Sequence, residues 1–259
     1  MVTSLVIGIL AGVFSVLFGV GGGLFMVPAM VLLLAMRTQR AVGTSLAVVL
    51  PMSLFAIVQY LNVREVRQTW EWSPVVMLAL GGVFGARYGA ALANRLGSTP
   101  LRRVFGAAAA LVGFYLAFTP DLGEGRALAH PAWYWMILAG AGVGVISGLL
   151  GIGGGLVMVP LLVTAIGYAQ KTAQAISLAV IVPVALSGAI LHYRAGNINL
   201  RIAAWLTVGG LLGVGIIGAK IGRIDNPTLR LMFGIFLAVV GVWMMLQPPR
   251  RSDAPAPPR

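Results

Sequence analysis

The chain has 259 residues, of which 59% are hydrophobic and 9% charged, with a mean hydropathy of +0.96 and a net charge of +12. This composition excludes a soluble domain, whose surface needs far more charge, and predicts an all-α polytopic membrane protein. Nucleic-acid binding is not indicated, because most Lys and Arg residues lie in short segments between apolar runs, where membrane proteins carry orientation signals. The absence of Cys excludes disulfides and thiolate metal sites.

The predicted elements form two homologous halves. In chain order they are a transmembrane repeat over residues 1–120, a polar linker at 121–131, a second repeat over 132–247 and a disordered, basic, Pro-rich tail at 248–259. At an offset of 132, Gly8–Pro28 aligns with Gly140–Pro160, and 13 of these 21 positions are identical. Ser45–Val48 matches Ser177–Val180 at the same offset, and Gly81-Gly82 matches Gly209-Gly210 at an offset of 128. This agreement indicates a duplication.

Each half opens with an apolar segment that is too long for one span. Leu5–Met36 would form a helix of ~48 Å, whereas the hydrocarbon layer is ~30 Å thick. Glycine triplets at 21–23 and 153–155 favour an interruption, because each glycine lowers helix stability by about 1 kcal/mol relative to Ala. We therefore predict a helix, a glycine break and a short second helix in each half. Three ordinary spans follow each break, near 41–61, 74–93 and 103–119 and near 173–193, 202–219 and 229–246, giving eight to ten membrane segments.

The topology depends on whether the short second helix crosses the layer. If it does, each half has five crossings, and ten Lys and Arg residues collect on one side against seven on the other. If it does not, the division is eight against nine. The first scheme agrees better with the positive-inside rule and makes the two halves antiparallel, as in the inverted repeats of many secondary transporters.

The glycine breaks are the candidate binding site. A break inside the layer leaves backbone N–H groups without helical partners, and the helix that follows presents the positive end of its dipole, which suits an anion. The candidate substrate-binding residues are therefore Gly21, Gly22, Gly23, Gly153, Gly154 and Gly155. The alternative role of glycine is close helix packing, which we favour for the isolated pairs such as Gly8 and Gly12.

Three polar residues complete the candidate binding set. Ser45 and Ser177 occupy equivalent repeat positions, and their hydroxyls either donate to an oxyanion or bond to the helix backbone. Arg87 lies within the apolar stretch Val75–Ala93 without an intramembrane carboxylate to pair with. It either faces a substrate anion or extends its guanidinium to the headgroups.

Other functional groups are few. All six acidic residues fall in predicted loops or the tail, so the carboxylate relay of proton-driven pumps is missing. The sequence has no phosphate-binding loop, and its membrane part offers no paired carboxylates or His cluster. We therefore expect no catalytic residues, no cofactor and no metal site, and we expect that the protein is not an enzyme.

The duplicated block Gly12–Pro28 and Gly144–Pro160, each ending in Met-Val-Pro, together with the Ser-Leu-Ala-Val segments, resembles the TauE/SafE sulfite exporter family of toluene-sulfonate uptake permeases. The resemblance covers nearly the whole chain except the tail. It implies a multi-pass permease of the bacterial inner (plasma) membrane that moves sulfite or an organosulfonate. Export fits the missing acids, since an inside-negative potential drives an anion outward by ~2.3 kcal/mol per charge per 100 mV.

Two other readings compete with transport. A membrane-embedded enzyme lacks the groups named above, and a scaffold or assembly protein has no evident use for broken helices. The expected partners are a small anionic substrate and the lipid bilayer, not nucleic acid, and the sequence leaves a homodimer open.

Overall fold

The computed structural model describes residues 1–93, 98–119, 132–150 and 154–246, and all regular elements in these ranges are helices. The predicted linker at 121–131, the tail at 248–259 and Gly153 lie outside the described residues. The helices are α1 Val2–Phe18, α2 Gly23–Leu33, α3 Thr38–Leu61, α4 Arg64–Thr69, α5 Trp72–Ala93, α6 Ser98–Phe118, α7 Trp133–Leu150, α8 Gly155–Leu161, α9 Gln170–Arg194, α10 Leu200–Gly218 and α11 Asn226–Leu246. A π-helical turn, Leu162–Ile166, continues α8, and a 3-10 turn, Ile221–Arg223, precedes α11.

The predicted all-α class is confirmed, and helices occupy the positions of the six ordinary spans. Helices α3, α5 and α6 correspond to the three spans expected in the first half, and α9, α10 and α11 to those in the second. Among the described residues, α3, α9, α11 and the stretch Leu200–Arg223 are long and apolar enough to cross a membrane by length and composition. Large apolar side chains such as Phe84, Leu111 and Val239 are exposed, as expected for faces that contact lipid.

The glycine breaks are also confirmed. Helix α1 ends at Phe18, and Gly19, Gly21 and Gly22 have φ values of +67°, +71° and +73°. Glycine adopts this left-handed region without steric cost, whereas residues with a side chain rarely do. The glycines therefore allow the chain to turn before α2 begins at Gly23. In the second half α7 ends at Leu150 and α8 begins at Gly155.

In two helix pairs, the first helix of one half packs on a later helix of the other half. Helix α1 packs on α10 with Leu5 beside Gly209 and Ile9 beside Gly213, so these helices run parallel. Their repeat equivalents, α7 and α5, pack the same way, with Ile137 beside Gly81 and Val145 beside Gly89. At both crossings the absence of a Cβ lets backbones touch, which gives the isolated glycines the packing role that we favoured.

Two other helix pairs join equivalent elements of the halves. Helices α3 and α9 run antiparallel, because Gly43 near the start of α3 lies against His192 near the end of α9, and Tyr60 near the end of α3 bonds to Gln174. Helices α6 and α11 also run antiparallel, with Gly106 beside Gly241 and Gly113 beside Gly234. The most apolar windows of α3 and α9 are 50% buried, against 39% for α11, which puts α3 and α9 at the centre.

The α1–α10 crossing yields a prediction about stability. In Gly12→Ala, the new Cβ would collide with the Gly210 carbonyl, so we expect a loss of about 1–3 kcal/mol in the free energy of unfolding. Gly142→Ala is the matched control, because nothing lies within 4 Å of its Cβ position and Ala is the better helix former. Thermal unfolding in detergent measures both, and an equal response of the two variants would contradict the packing role.

Candidate functional site

The two glycine breaks meet at the centre of the bundle. A Cβ on Gly155 would lie 2.5 Å from the Val20 Cα and 2.7 Å from the Gly19 carbonyl oxygen. A Cβ on Gly21 would lie 3.1 Å from Val49 and 3.3 Å from Ile181, residues in the middle of α3 and α9. The two breaks therefore lie against each other, at the level of the middle of α3 and α9.

A cavity of about 60 Å³ lies beside this meeting point. Its walls come from both breaks, from α3 and α9, and from the α5–α7 pair. Its polar side chains are the three serines Ser45, Ser147 and Ser177, and none of the described residues that line it is charged. The other lining residues are Val20, Gly23, Val27, Val42, Leu46, Val49, Gly82, Val143, Gly144, Gly154, Met158, Val180, Ile181, Val184 and Ala185. The space is enough for a few water-sized groups.

Backbone donors border the cavity in the first half. The N–H groups of Phe25 and Met26 donate to the Gly22 carbonyl at 3.2 and 3.0 Å, so the first helical bonds of α2 begin only there. The N–H groups of Gly23 and Leu24 come earlier and have no acceptor within the helix. Gly23 itself lines the cavity, and its Cβ position is 3.3 Å from the Ser45 hydroxyl.

The second break begins its short helix in the same way and differs by one hydrogen bond to a side chain. The Gly154 N–H donates to the Ser147 hydroxyl at 2.7 Å, and Val157 and Met158 donate to the Gly154 carbonyl. Ser147 is not among the site residues predicted from the sequence. The signal was present, because Ser15 and Ser147 are among the positions that the two repeats share.

Side chains from α3 and α9 satisfy the carbonyl groups at the end of α1. The Tyr60 hydroxyl lies 2.6 Å from the Val16 carbonyl and 2.7 Å from Gln174 Oε1. The Gln174 amide donates to the Leu17 carbonyl at 2.7 Å, and the Ser177 hydroxyl to that of Gly19 at 2.8 Å. The Ser177 proton is thus bonded to backbone, one of the two roles left open for it. The break can exist in lipid because these acceptors are satisfied.

Comparison with known proteins places the chain in a family. A profile of the family described as sulfite exporter TauE/SafE matches residues 1–116 and 136–259. The chain belongs to the sulfite exporter TauE/SafE family. No solved structure matches it significantly.

Several relatives of this TauE/SafE protein have been named as probable membrane transporter proteins. The chain is 28% identical over 260 residues to one from Methanocaldococcus jannaschii, covering 93% of this chain and 94% of that protein. It is 26% identical over 268 residues to YunE of Bacillus subtilis, covering 93% and 96%. A protein of Xylella fastidiosa is 34% identical over 112 residues, 42% of this chain and 41% of that one.

This TauE/SafE protein carries a further polar cluster where α9 begins. Lys171 is 6% exposed at its side chain and lies 3.5 Å from the Glu65 carboxylate, and Asn226 bonds to both residues. Thr172 bonds to Thr69 at 2.9 Å. Outside the spans, hydrogen bonds from the Thr228 hydroxyl and N–H lower the pKa of Asp225.

The two ends of the α3–α9 pair therefore differ. Gln170, Lys171 and Thr172 are buried, whereas the equivalent residues that open α3, Thr38, Gln39 and Arg40, are exposed. The cavity also extends unequally along the two helices. It reaches Val42 in α3, but not the equivalent Gln174 in α9, whose amide is bonded to α1.

Arg87 lies apart from the cavity. Its side chain is exposed on α5, five residues beyond Gly82, which lines the cavity. Five residues correspond to a rise of ~7.5 Å along the helix and place the two on different faces. This position favours the second role considered for Arg87, an extended side chain that reaches the headgroups.

The contacts of Gln174 yield a second prediction. Gln174→Val introduces the residue that the first repeat has at this position. It removes the donor to the Leu17 carbonyl and one of the two acceptors next to the Tyr60 hydroxyl, which keeps the Val16 carbonyl. Because a buried acceptor is left unsatisfied, we expect the free energy of unfolding to fall by about 1–3 kcal/mol. Gln68→Val, at an exposed position of α4, is the control for thermal unfolding in detergent. Equal melting temperatures would show that Gln174 does not stabilise the end of α1.

Proposed function

We propose that this protein is a secondary transporter or facilitator that moves a small sulfur-containing anion, sulfite or an organosulfonate, across the membrane. The observation that carries the proposal is the central cavity where two helix breaks meet, bordered by the N-terminus of α2. Membership of the sulfite exporter family and the names of the relatives as membrane transporters support it.

The backbone N–H groups that lack a helical acceptor at the first break favour an anion as the substrate. A cation would need oxygen acceptors, but the carbonyls of Val16, Leu17 and Gly19 already accept bonds from side chains. The N–H groups of Gly23 and Leu24 have no acceptor within α2, and the dipole of α2 adds the equivalent of about half a positive charge at Gly23. Of the predicted substrate-binding residues, Gly23, Ser45, Gly154 and Ser177 line the cavity and are the ones that we propose bind the substrate. Gly21 and Gly155 lie behind the lining residue Ile181, Gly22 faces Met52, and Gly153 lies outside the described residues.

The size of the cavity favours a small member of the substrate class. About 60 Å³ accommodates a few water-sized groups, which is comparable with the four heavy atoms of sulfite. A larger organosulfonate would require the walls to move. Because the walls are mostly apolar side chains, an aliphatic or aromatic substituent would be tolerated chemically once there is room.

We propose an inverted arrangement of the repeats 1–120 and 132–247. The antiparallel packing of the equivalent pairs α3–α9 and α6–α11 supports it. Inverted repeats around a midplane site are the usual architecture of alternating access. We assign the protein to the bacterial inner membrane and its net flux to export, because an inside-negative potential expels an anion without a carboxylate relay.

Transport in proteoliposomes tests the function directly. We expect the purified protein to catalyse sulfite flux that an imposed potential accelerates in the direction that moves negative charge down the gradient. In Gly23→Leu, whose backbone φ is not left-handed, the side chain would fill the cavity next to Ser45 and Val49, so flux should be lost. Gly142→Leu, pointing into open space, should retain it.

The negative outcomes of this experiment are also informative. If folded wild-type protein moves neither sulfite nor taurine, the result favours the alternative function, a membrane-embedded scaffold or assembly protein. If Gly23→Leu transports like wild type, the cavity is not on the substrate path.

A separate prediction concerns Arg87. Because its side chain is exposed and lies apart from the cavity, Arg87→Ala should change the KM for sulfite by less than a factor of two. Gly23→Leu serves as the positive control for loss of flux. A large rise in KM with Arg87→Ala would contradict this prediction and indicate that the Arg87 guanidinium contacts the substrate.

A further inference from the structure

The cavity occupies only one side of the pseudo-symmetric bundle. Gly82, Ser147, Val184 and Ala185 line it. Their repeat equivalents, obtained with the offsets of 128 and 132, are Gly210, Ser15, Met52 and Ser53. None of these four lines the cavity, although the backbone around them repeats the same helix crossings.

Met52 fills the space that is open on the other side. Its side chain is completely buried, its sulfur lies where a Cβ of Gly210 would stand, and its terminal methyl is 3.2 Å from the Cβ position of Gly22. Val184 stands at the equivalent place over Gly82, 3.4 Å from that Cβ position. Because Val is shorter than Met, a space remains beside Val184 and not beside Met52.

Two hydroxyl groups in the filled region have nothing to bond to. Ser15 and Ser53 are both completely buried, and their Oγ atoms have no hydrogen-bond partner among the described residues. A buried donor without a partner costs about 1–3 kcal/mol, so such groups call for an explanation. The equivalent of Ser15, Ser147, lines the cavity and accepts a bond from the second break.

These observations share one explanation. We infer that the protein carries a second, latent pocket for the same small oxyanion, formed by Gly22, Gly210, Ser15 and Ser53 and closed by Met52. The ligand assignment rests on the proposed function, whereas the pocket itself rests on the repeat geometry. Met has an unbranched side chain with three rotatable bonds, so it can leave this position without a change in the backbone. Opening would give Ser15 and Ser53 a bonding partner.

Cysteine labelling tests the pocket without reference to transport. The chain has no Cys, so Ser15→Cys creates a single thiol in an otherwise unreactive protein. A minor open state is populated at roughly 0.1–10%, so opening the pocket permanently should raise the rate of labelling by a small methanethiosulfonate by at least about tenfold. We expect this increase when Met52→Val is added to Ser15→Cys.

The controls isolate the role of Met52. Met244→Val truncates another buried Met, in α11, and should leave the labelling of Ser15→Cys unchanged. Ser147→Cys, in the open cavity, should react quickly with or without Met52→Val. If Ser15→Cys reacts at the same rate with and without Met52→Val in folded protein, the latent pocket does not exist, whatever the transport assay shows.

Exchanging the two residues tests the ligand. Val184→Met should fill the open cavity and abolish sulfite binding measured by calorimetry in detergent. Adding Met52→Val should restore binding, because the pocket is then open on the other side. A double variant with fast Ser15→Cys labelling but no sulfite binding would overturn the assignment of the ligand. Wild-type protein that binds no sulfite, with labelling as expected, would instead contradict only the proposed function.

Discussion

The structure depends on the satisfaction of backbone groups at a helix break in lipid. Water cannot bond to these groups in the hydrocarbon layer, so each donor and acceptor needs a partner within the protein. At the end of α1, side chains of Tyr60, Gln174 and Ser177 supply partners for the carbonyls. The donors at the start of α2 have no such side-chain partners among α3 and α9. Three carbonyls at the break are thus bonded to side chains, whereas the Gly23 and Leu24 N–H groups have no acceptor within α2, and such donors suit an anion.

Duplication builds this device twice, and a few substitutions make the copies different. Val42 and Gln174 decide how far the cavity extends along α3 and α9, and Met52 and Val184 decide on which side it lies. The exposed Gln39 and the buried Lys171 distinguish the two ends of the bundle in the same way. Two repeats with equivalent backbones and unequal side chains agree with the inverted arrangement that we propose, which is typical of transporters with alternating access.

The fold could be predicted largely from the sequence, because the hydrocarbon layer fixes span length and glycine runs mark the interruptions. The convergence of Gly23, Ser45 and Ser177 could also be expected, since the broken helices of two inverted halves can meet at the middle of the membrane. Hydropathy cannot show helix rotation, and rotation decides that Arg87 is exposed while Ser147 reaches the second break. Gln174 is visible as a polar residue in an apolar run, but its partner on α1, the Leu17 carbonyl, is 157 residues away in the chain.

A cavity lined without charge also agrees with the release of the anion that we propose as the substrate. A buried Arg or Lys would hold an oxyanion through a charge-assisted pair, and such pairs are costly to break once desolvated. Hydroxyl groups, N–H donors and one helix dipole distribute a weaker attraction, and conduction or transport requires binding that is favourable enough for entry and weak enough for release. Lys171 fits this division of roles, because its charge is neutralised by Glu65 and lies at the end of α9, outside the set of residues that line the cavity.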